Sequence, residues 1–161
     1  MMDIYQELAR LDIGFDKHEH PPVYTVEEAD AQYKALKGAR TKNLFLRNKK
    51  GDRHYLLVVE SHRPVDLKQI RHLLEESSLS FASPERLRKF LALEPGSVSP
   101  FGIINDPERE VVVIVDQGLL RHDLQNFHPN VNTATLTIST ADFQRFLAST
   151  GHEVRFMEFP L

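Results

Sequence analysis

The chain has 161 residues, 41% of them hydrophobic, which points to one domain able to bury a core of its own. It contains no cysteine, which excludes disulfides, a thiol nucleophile and cysteine-ligated zinc, and fits a cytoplasmic protein. The net charge of -3 hides an asymmetry: residues 34–72 carry eleven Lys and Arg against three acids, a local +8, while the remainder carries -11. Such a basic segment is either a face for a polyanion or a solvated surface whose charges disperse on folding, and charge alone does not separate the two.

In chain order, Ile4, Leu8 and Leu11 recur at helical spacing and predict a helix over residues 3–12. The charges inside MMDIYQELARLDIGF distinguish it from a signal peptide, and no apolar run in the chain is long enough to span a membrane. DKHEHPPVYT follows as an extended stretch stopped by Pro21 and Pro22. Thr25 and Glu28 stand at capping-box spacing and predict a short helix to about Tyr33. TKNLFLRN and HYLLVVE read as two strands joined by a turn over Asn48 to Asp52, a hairpin. DLKQIRHLLEE reads as a helix with Leu67, Ile70, Leu73 and Leu74 on its apolar side. Ser83-Pro84-Glu85 supplies an N-cap and a first-turn proline for a helix ending near Leu91.

EPGSVSPFGIIND is expected to be a loop running into a short strand, Phe101 to Ile104. REVVVIV, from Arg109 to Val115, predicts a buried strand, and residues 133–138 another. Ser139 and Asp142 cap a last helix, which Gly151 ends, and a strand follows over residues 153–159. Strands and helices are mixed and there is no repeat or linker. The expected fold is therefore a single α/β domain spanning residues 1–161, built on a mixed, strongly curved sheet.

Four constellations carry possible chemistry. His18 and His20 would share one face of an extended segment, either as a metal pair or in a structural role before the Pro-Pro turn. Lys42 and Asn43 open a strand, where a lysine beside apolar side chains either fixes a positive charge in a pocket or lies on the surface. Gly96-Ser97-Val98-Ser99-Pro100-Phe101-Gly102 can turn successive backbone N–H groups toward one point, as an oxyanion or phosphate requires, or can be a plain turn. His128, between Phe127 and Pro129, offers an imidazole that titrates near neutrality, or one that only braces its own loop. Walker and GxGxxG loops, GxSxG and HExxH are all absent. The inventory is compatible with water attack on an activated ester, aided by positioning and backbone donors.

The order of these segments is more specific than any one of them. HEHPPVYTVEEA, KNLFLRNKKG, GSVSPFGIIND and FHPNVNTATLTI, at their spacing, resemble the bacterial prolyl-tRNA editing family, the YbaK-like aminoacyl-tRNA deacylases. The likeness is nearest the free-standing alanyl-tRNA(Pro) deacylases and runs from the first helix to the final GHEVRFME. It implies a mixed, barrel-like sheet with surrounding helices, no cofactor and no metal. It also implies hydrolysis of the ester between a wrong amino acid and the terminal ribose of tRNA(Pro), with prolyl-tRNA synthetase as a further candidate partner. The family's motifs carry over to Lys42, Asn43 and His128 as the catalytic set. The GxxxP loop maps onto Gly96, Ser97, Val98, Ser99 and Pro100, against the substrate. Tyr24, Val26, Leu46 and Ile104 are the candidate size-limiting side chains. Lys34, Lys37, Arg40, Arg47, Lys49 and Lys50 form the candidate tRNA track. Two alternatives stay open: a sister deacylase clearing cysteine, serine or another residue, and a non-catalytic regulator that binds aminoacyl-tRNA or a synthetase.

Overall fold

A computed structural model describes residues 2–23, 25–34 and 36–159, except the side chains of residues 26, 30, 32 and 33. Helix α1 (Ile4–Arg10) starts where Asp3 accepts a hydrogen bond from the Tyr5 N–H, and it buries Ile4 and Leu8. Strand β1 is Asp16–Glu19. Helix α2 (Val26–Tyr33) is capped by Thr25, whose hydroxyl accepts the Glu28 N–H at 3.0 Å, as the capping spacing predicts. Strands β2 (Ala39–Asn48) and β3 (His54–Glu60) form the expected antiparallel hairpin, in register from Thr41 opposite Glu60 to Arg47 opposite His54. Its turn is held by Asn48, whose Oδ1 accepts the N–H groups of Gly51, Asp52 and Arg53.

Helices α3 (Leu67–Leu73) and α4 (Pro84–Leu91) flank the short strand β4 (Leu79–Phe81). After them come β5 (Val111–Asp116), β6 (Leu124–Phe127), β7 (Ala134–Ser139), α5 (Thr140–Thr150) and β8 (Val154–Met157). Ser139 caps α5 through the Asp142 N–H, and Gly151 ends it at φ +74.

The strand expected at Phe101 to Ile104 is instead a 3-10 turn, Pro100–Asn105. The Ser99 hydroxyl accepts the Phe101 N–H at 3.2 Å, and the Ser99 carbonyl accepts the Gly102 N–H at 3.0 Å. Pro100 has no N–H to give a ladder. A short apolar run buried on all sides reads the same whether it is a strand or a helical turn, so hydrophobicity alone did not decide it. A second 3-10 turn, Gln117–Arg121, and the strands β4 and β6 were not expected from the sequence.

The strand order is β1-β7-β6-β2-β3-β5-β8, with β4 added on β2. The sheet is mixed: β3, β5 and β8 run parallel, β2 meets β6 parallel, and the remaining pairs are antiparallel. Strand β3 is buried on both faces, which is why its sequence is an almost unbroken apolar run. Leu56 and Val58 face one core with Phe101, Phe127, Phe143 and Phe146, while Tyr55, Leu57 and Val59 face a second with Ile70, Leu74 and Phe159. Each such side chain, fully withdrawn from water, contributes roughly 1.5–3 kcal/mol before the entropic cost of ordering it.

The decisive feature is that β2 belongs to two leaves of the sheet. Its edge opposite β3 pairs with β6 only at Ala39 and Arg40, and with β4 only from Leu46 to Asn48. Between these two pairings the leaves part.

Candidate functional site

Strand geometry determines what the parting exposes. The Arg40 carbonyl accepts the Ser61 N–H at 2.8 Å on the β3 side of β2, and the Phe45 carbonyl accepts the Ala82 N–H at 2.9 Å on the opposite side. Because backbone groups alternate along a strand, and the Arg40–Asn126 pairing takes the Thr41 N–H, the Thr41 C=O and the Asn43 N–H and C=O are directed toward the opening. A cavity of about 600 Å³ lies there. Its walls come from β2 (Arg40, Thr41, Lys42, Asn43), from the end of β6 (Asn126, Phe127, His128) and from Thr135 on β7. Pro95, Gly96 and Val98 form a third side, and Val23, Thr25, Ala29 and Ser61 complete it.

Lys42 is half-buried, and burial lowers its ammonium below the ordinary lysine range. Asn43 ties the two sides together: its Nδ2 donates to the Val98 carbonyl at 3.3 Å, while its buried Oδ1 has no partner among the described residues. The lysine is thus a cation in a partly desolvated wall, and the asparagine leaves one acceptor unsatisfied beside it.

His128 is fixed from behind. Its Nδ1 lies 3.0 Å from the Ala134 carbonyl, which can only accept, so the ring proton sits on Nδ1 and the lone pair on Nε2. Burial lowers its pKa, with nearby His20 acting in the same direction, and the ring is neutral near pH 7. The loop that follows explains the asparagines of FHPNVN. Asn130 takes a left-handed backbone at φ +65, which suits asparagine in a tight turn. Asn132 Nδ2 donates to the Val23 carbonyl at 2.9 Å and lies 3.4 Å from where a Cβ on Gly96 would stand. One side chain therefore braces the segment after the Pro-Pro turn and sits against the glycine loop. Gly96 itself has φ +88, a conformation that favours glycine.

Behind the wall, Asn126 stitches the leaves. Its Nδ2 donates to the Lys37 and Ala39 carbonyls at 2.8 and 3.0 Å, and its Oδ1 accepts the Thr137 hydroxyl at 2.6 Å. Thr41 donates to the Asn126 carbonyl at 2.8 Å. This network holds β6 on the start of β2 and so holds the gap open beyond it.

The predicted residues divide clearly. Lys42, Asn43, Gly96, Val98, Arg40 and His128 come together around the cavity. Ser97 and Ser99 are buried behind the loop, and Pro100 begins the 3-10 turn. Leu46 and Ile104 are core residues, Leu46 in the second cluster and Ile104 in the first. Tyr24 and the Val26 side chain lie outside the described residues. Lys34 and Lys37 are exposed ahead of β2, whereas Arg47, Lys49 and Lys50 lie at the hairpin turn. Arg47 is five positions beyond Lys42, roughly 16 Å along a strand. Its guanidinium donates to the carbonyls of Asn48 and Lys49, each at 3.1 Å.

His18 and His20 do share a face, with ring centroids 5.8 Å apart, and His20 bonds the Pro21 carbonyl and the Thr135 hydroxyl. Among the described residues no group of three or more His, Asp or Glu is placed to hold a metal ion. Nor is any described helix long and apolar enough to cross a membrane. Sequence reasoning missed Thr41, Asn126 and Thr135. The only signal for them was position, beside Lys42, beside His128 and in the strand after FHPN.

Comparison with known proteins matches the model of the aminoacyl-tRNA editing domain over residues 20–146. The prolyl-tRNA editing protein ProX of Acetoanaerobium sticklandii is 38% identical over 96% of this chain and 94% of its own length. The prolyl-tRNA synthetase associated domain-containing protein 1 of Danio rerio is 36% identical over 98% of this chain and 86% of its own. A crystal structure attributed to a trans-editing enzyme for prolyl-tRNA synthetase shares the fold, with TM-score 0.70, 24% identity and 99% of each chain covered.

Proposed function

The chain belongs to the aminoacyl-tRNA editing domain family, and on that premise we propose that this aminoacyl-tRNA deacylase works in trans to release alanine from mischarged tRNA(Pro). The observation that carries the reading is the cavity at the parting of the sheet, where Lys42, Asn43, Gly96, Val98 and His128 line one space.

The need for a second site is energetic. A synthetase that accepts proline cannot exclude the smaller alanine, because one missing methylene changes binding by only about 1–3 kcal/mol. A separate site reverses the test: it admits the small side chain and overpacks against the proline ring. Val23, Ala29, Val98 and Phe127 supply apolar surface for that limit.

In the proposed reaction a water oxygen adds to the ester carbonyl carbon. The tetrahedral intermediate then expels the ribose oxygen, which takes up a proton, and free alanine leaves. Nothing in the cavity supplies a cysteine or an elbow serine, so positioning and electrostatics carry the rate. Lys42, its charge desolvated, pairs with the phosphate of the terminal nucleotide or with the polarised ester. Backbone N–H groups around Gly96 donate to the developing oxyanion. Neutral His128 presents Nε2 as an acceptor to the attacking water or to the ribose hydroxyl beside the ester. The exposed lysines ahead of β2, Lys34 and Lys37, with Arg40 at the cavity, form the inner part of a tRNA track, and work on tRNA sets the protein in the cytoplasm. The names of the relatives support docking on prolyl-tRNA synthetase.

A deacylation time course on Ala-, Pro-, Cys- and Ser-tRNA(Pro) tests the proposal. Selective loss of alanine is the expected result. Release of cysteine or serine with alanine retained overturns the substrate, and release of nothing favours a regulator that binds without hydrolysis.

A further inference from the structure

We infer that Thr135 is the residue that recognises the α-ammonium group of the aminoacyl ester, held by His20 in an orientation that can only accept hydrogen bonds. The inference rests on the deacylase reading above and adds a specificity residue to it. The chain of reasoning begins at Pro21. Its carbonyl lies 2.8 Å from His20 Nδ1 and can only accept, so an imidazole with a single ring proton carries it on Nδ1. Nε2 then carries a lone pair, 2.9 Å from Thr135 Oγ1. The hydroxyl must donate its single hydrogen to that nitrogen.

Thr135 is 3% exposed and His20 7%, so the bond sits within the wall rather than on the outer surface. Thr135 lines the cavity, and all that its oxygen retains for a ligand is lone pairs. His128, fixed through the Ala134 carbonyl, likewise carries its lone pair on Nε2, and Asn43 Oδ1 is a buried acceptor without a partner among the described residues. The cavity thus has cations, Lys42 and Arg40, for the anionic part of a substrate, together with neutral acceptors. An ammonium group offers three donors and no acceptor, which is the chemistry such acceptors take. Free tRNA lacks it, so the same contact separates charged from uncharged ends.

The test deletes each side of the contact in turn. Alanyl-tRNA is compared with propionyl-tRNA, which lacks only the ammonium, for wild type, Thr135→Val and Thr135→Ser. Thr135→Val is expected to lower kcat/KM for the alanyl ester about 10- to 100-fold. The propionyl ester should change less than about 3-fold, because it never made the contact. Thr135→Ser, which keeps the hydroxyl, should stay close to wild type on both. Thr135→Ala serves the same comparison if the valine variant fails to fold. An equal loss on both esters assigns Thr135 a purely structural role and overturns the inference, as does no loss on either. A wild type that releases no amino acid from any tRNA removes the deacylase reading and this inference together.

Discussion

The two ends of β2 have similar sequences and opposite fates. Arg40-Thr41-Lys42-Asn43 at one end and Arg47-Asn48-Lys49-Lys50 at the other are both basic and both carry an asparagine. At the far end β4 closes the strand edge, and Asn48 spends its amide on the turn. At the near end no strand of the described residues closes the edge just after Arg40, and Asn43 faces a cavity with its Oδ1 likewise unmatched. Charge does not make the site; an unclosed sheet edge does. The same contrast holds for two histidines. His128 and His54 both have their pKa lowered by burial, but His128 lines the cavity and His54 is packed between Phe45 and Phe90.

The largest effect should come from exchanging one cation at each end. Lys42→Ala is expected to lower deacylation at least 100-fold with little change in melting temperature, since a half-buried cation with no ion-pair partner among the described residues contributes little to folding. Arg47→Ala should cost less than about 3-fold. Equal losses, measured as kcat/KM on alanyl-tRNA, would break the comparison.

A smaller effect tests the backbone of the near wall. Gly96→Ala forces a Cβ onto a residue at φ +88 that meets Asn132 at 3.4 Å. Strain of about 1 kcal/mol and a displaced loop should lower activity about 10-fold. An alanine variant with wild-type kcat/KM would show that the loop does not touch the reaction.

Salt sharpens the comparison further. Replacing Lys34 and Lys37 by alanine should reduce the slope of log affinity for tRNA against log salt by about 1 to 2, one phosphate contact per lysine. The pair Lys49 and Lys50 should leave that slope unchanged. A reversal would move the tRNA track to the hairpin turn.

The mildest effect concerns pH. His54, with its pKa lowered to about 4 by burial and by Arg86, Arg47 and Lys89, accepts a hydrogen bond from Arg86 at 3.0 Å. The unfolded chain binds a proton there near pH 6.5, but the folded chain does so only near pH 4. Its contribution is therefore complete above pH 6.5 and lost as pH falls through that window, on the order of 3 kcal/mol in all. His54→Phe should flatten the acid side of the stability curve, read by urea unfolding at several pH values. His128 should instead govern activity, with an acid limb of kcat/KM centred below pH 6.5 that disappears in His128→Asn.

Much of the fold was legible because its signals are local. The caps at Thr25, Ser83 and Ser139, the glycine stop at Gly151 and the Asn48 turn each act within a few residues of themselves, and the structure keeps all of them. Strand β6 was not legible. Its Gln125 and Asn126 are polar and buried, and their amide N–H groups donate to Leu119, Thr140, Lys37 and Ala39 from other parts of the chain. The 3-10 turn at Pro100–Asn105 escaped because burial on all sides erases periodicity.

The site divides in the same way. Motif order alone brought Lys42, Asn43, the glycine loop and His128 into one hypothesis, since each residue type has to be present for the chemistry. Two readings could come only from tertiary structure: that Leu46 and Ile104 are core, and that Thr41, Asn126 and Thr135 belong to the wall. Side-chain chemistry is a property of a residue, and a sequence carries it. The direction of a hydroxyl hydrogen, or an unpaired stretch of strand, is a property of what lies opposite. For this chain that is decided by where β6 ends and β4 begins along β2.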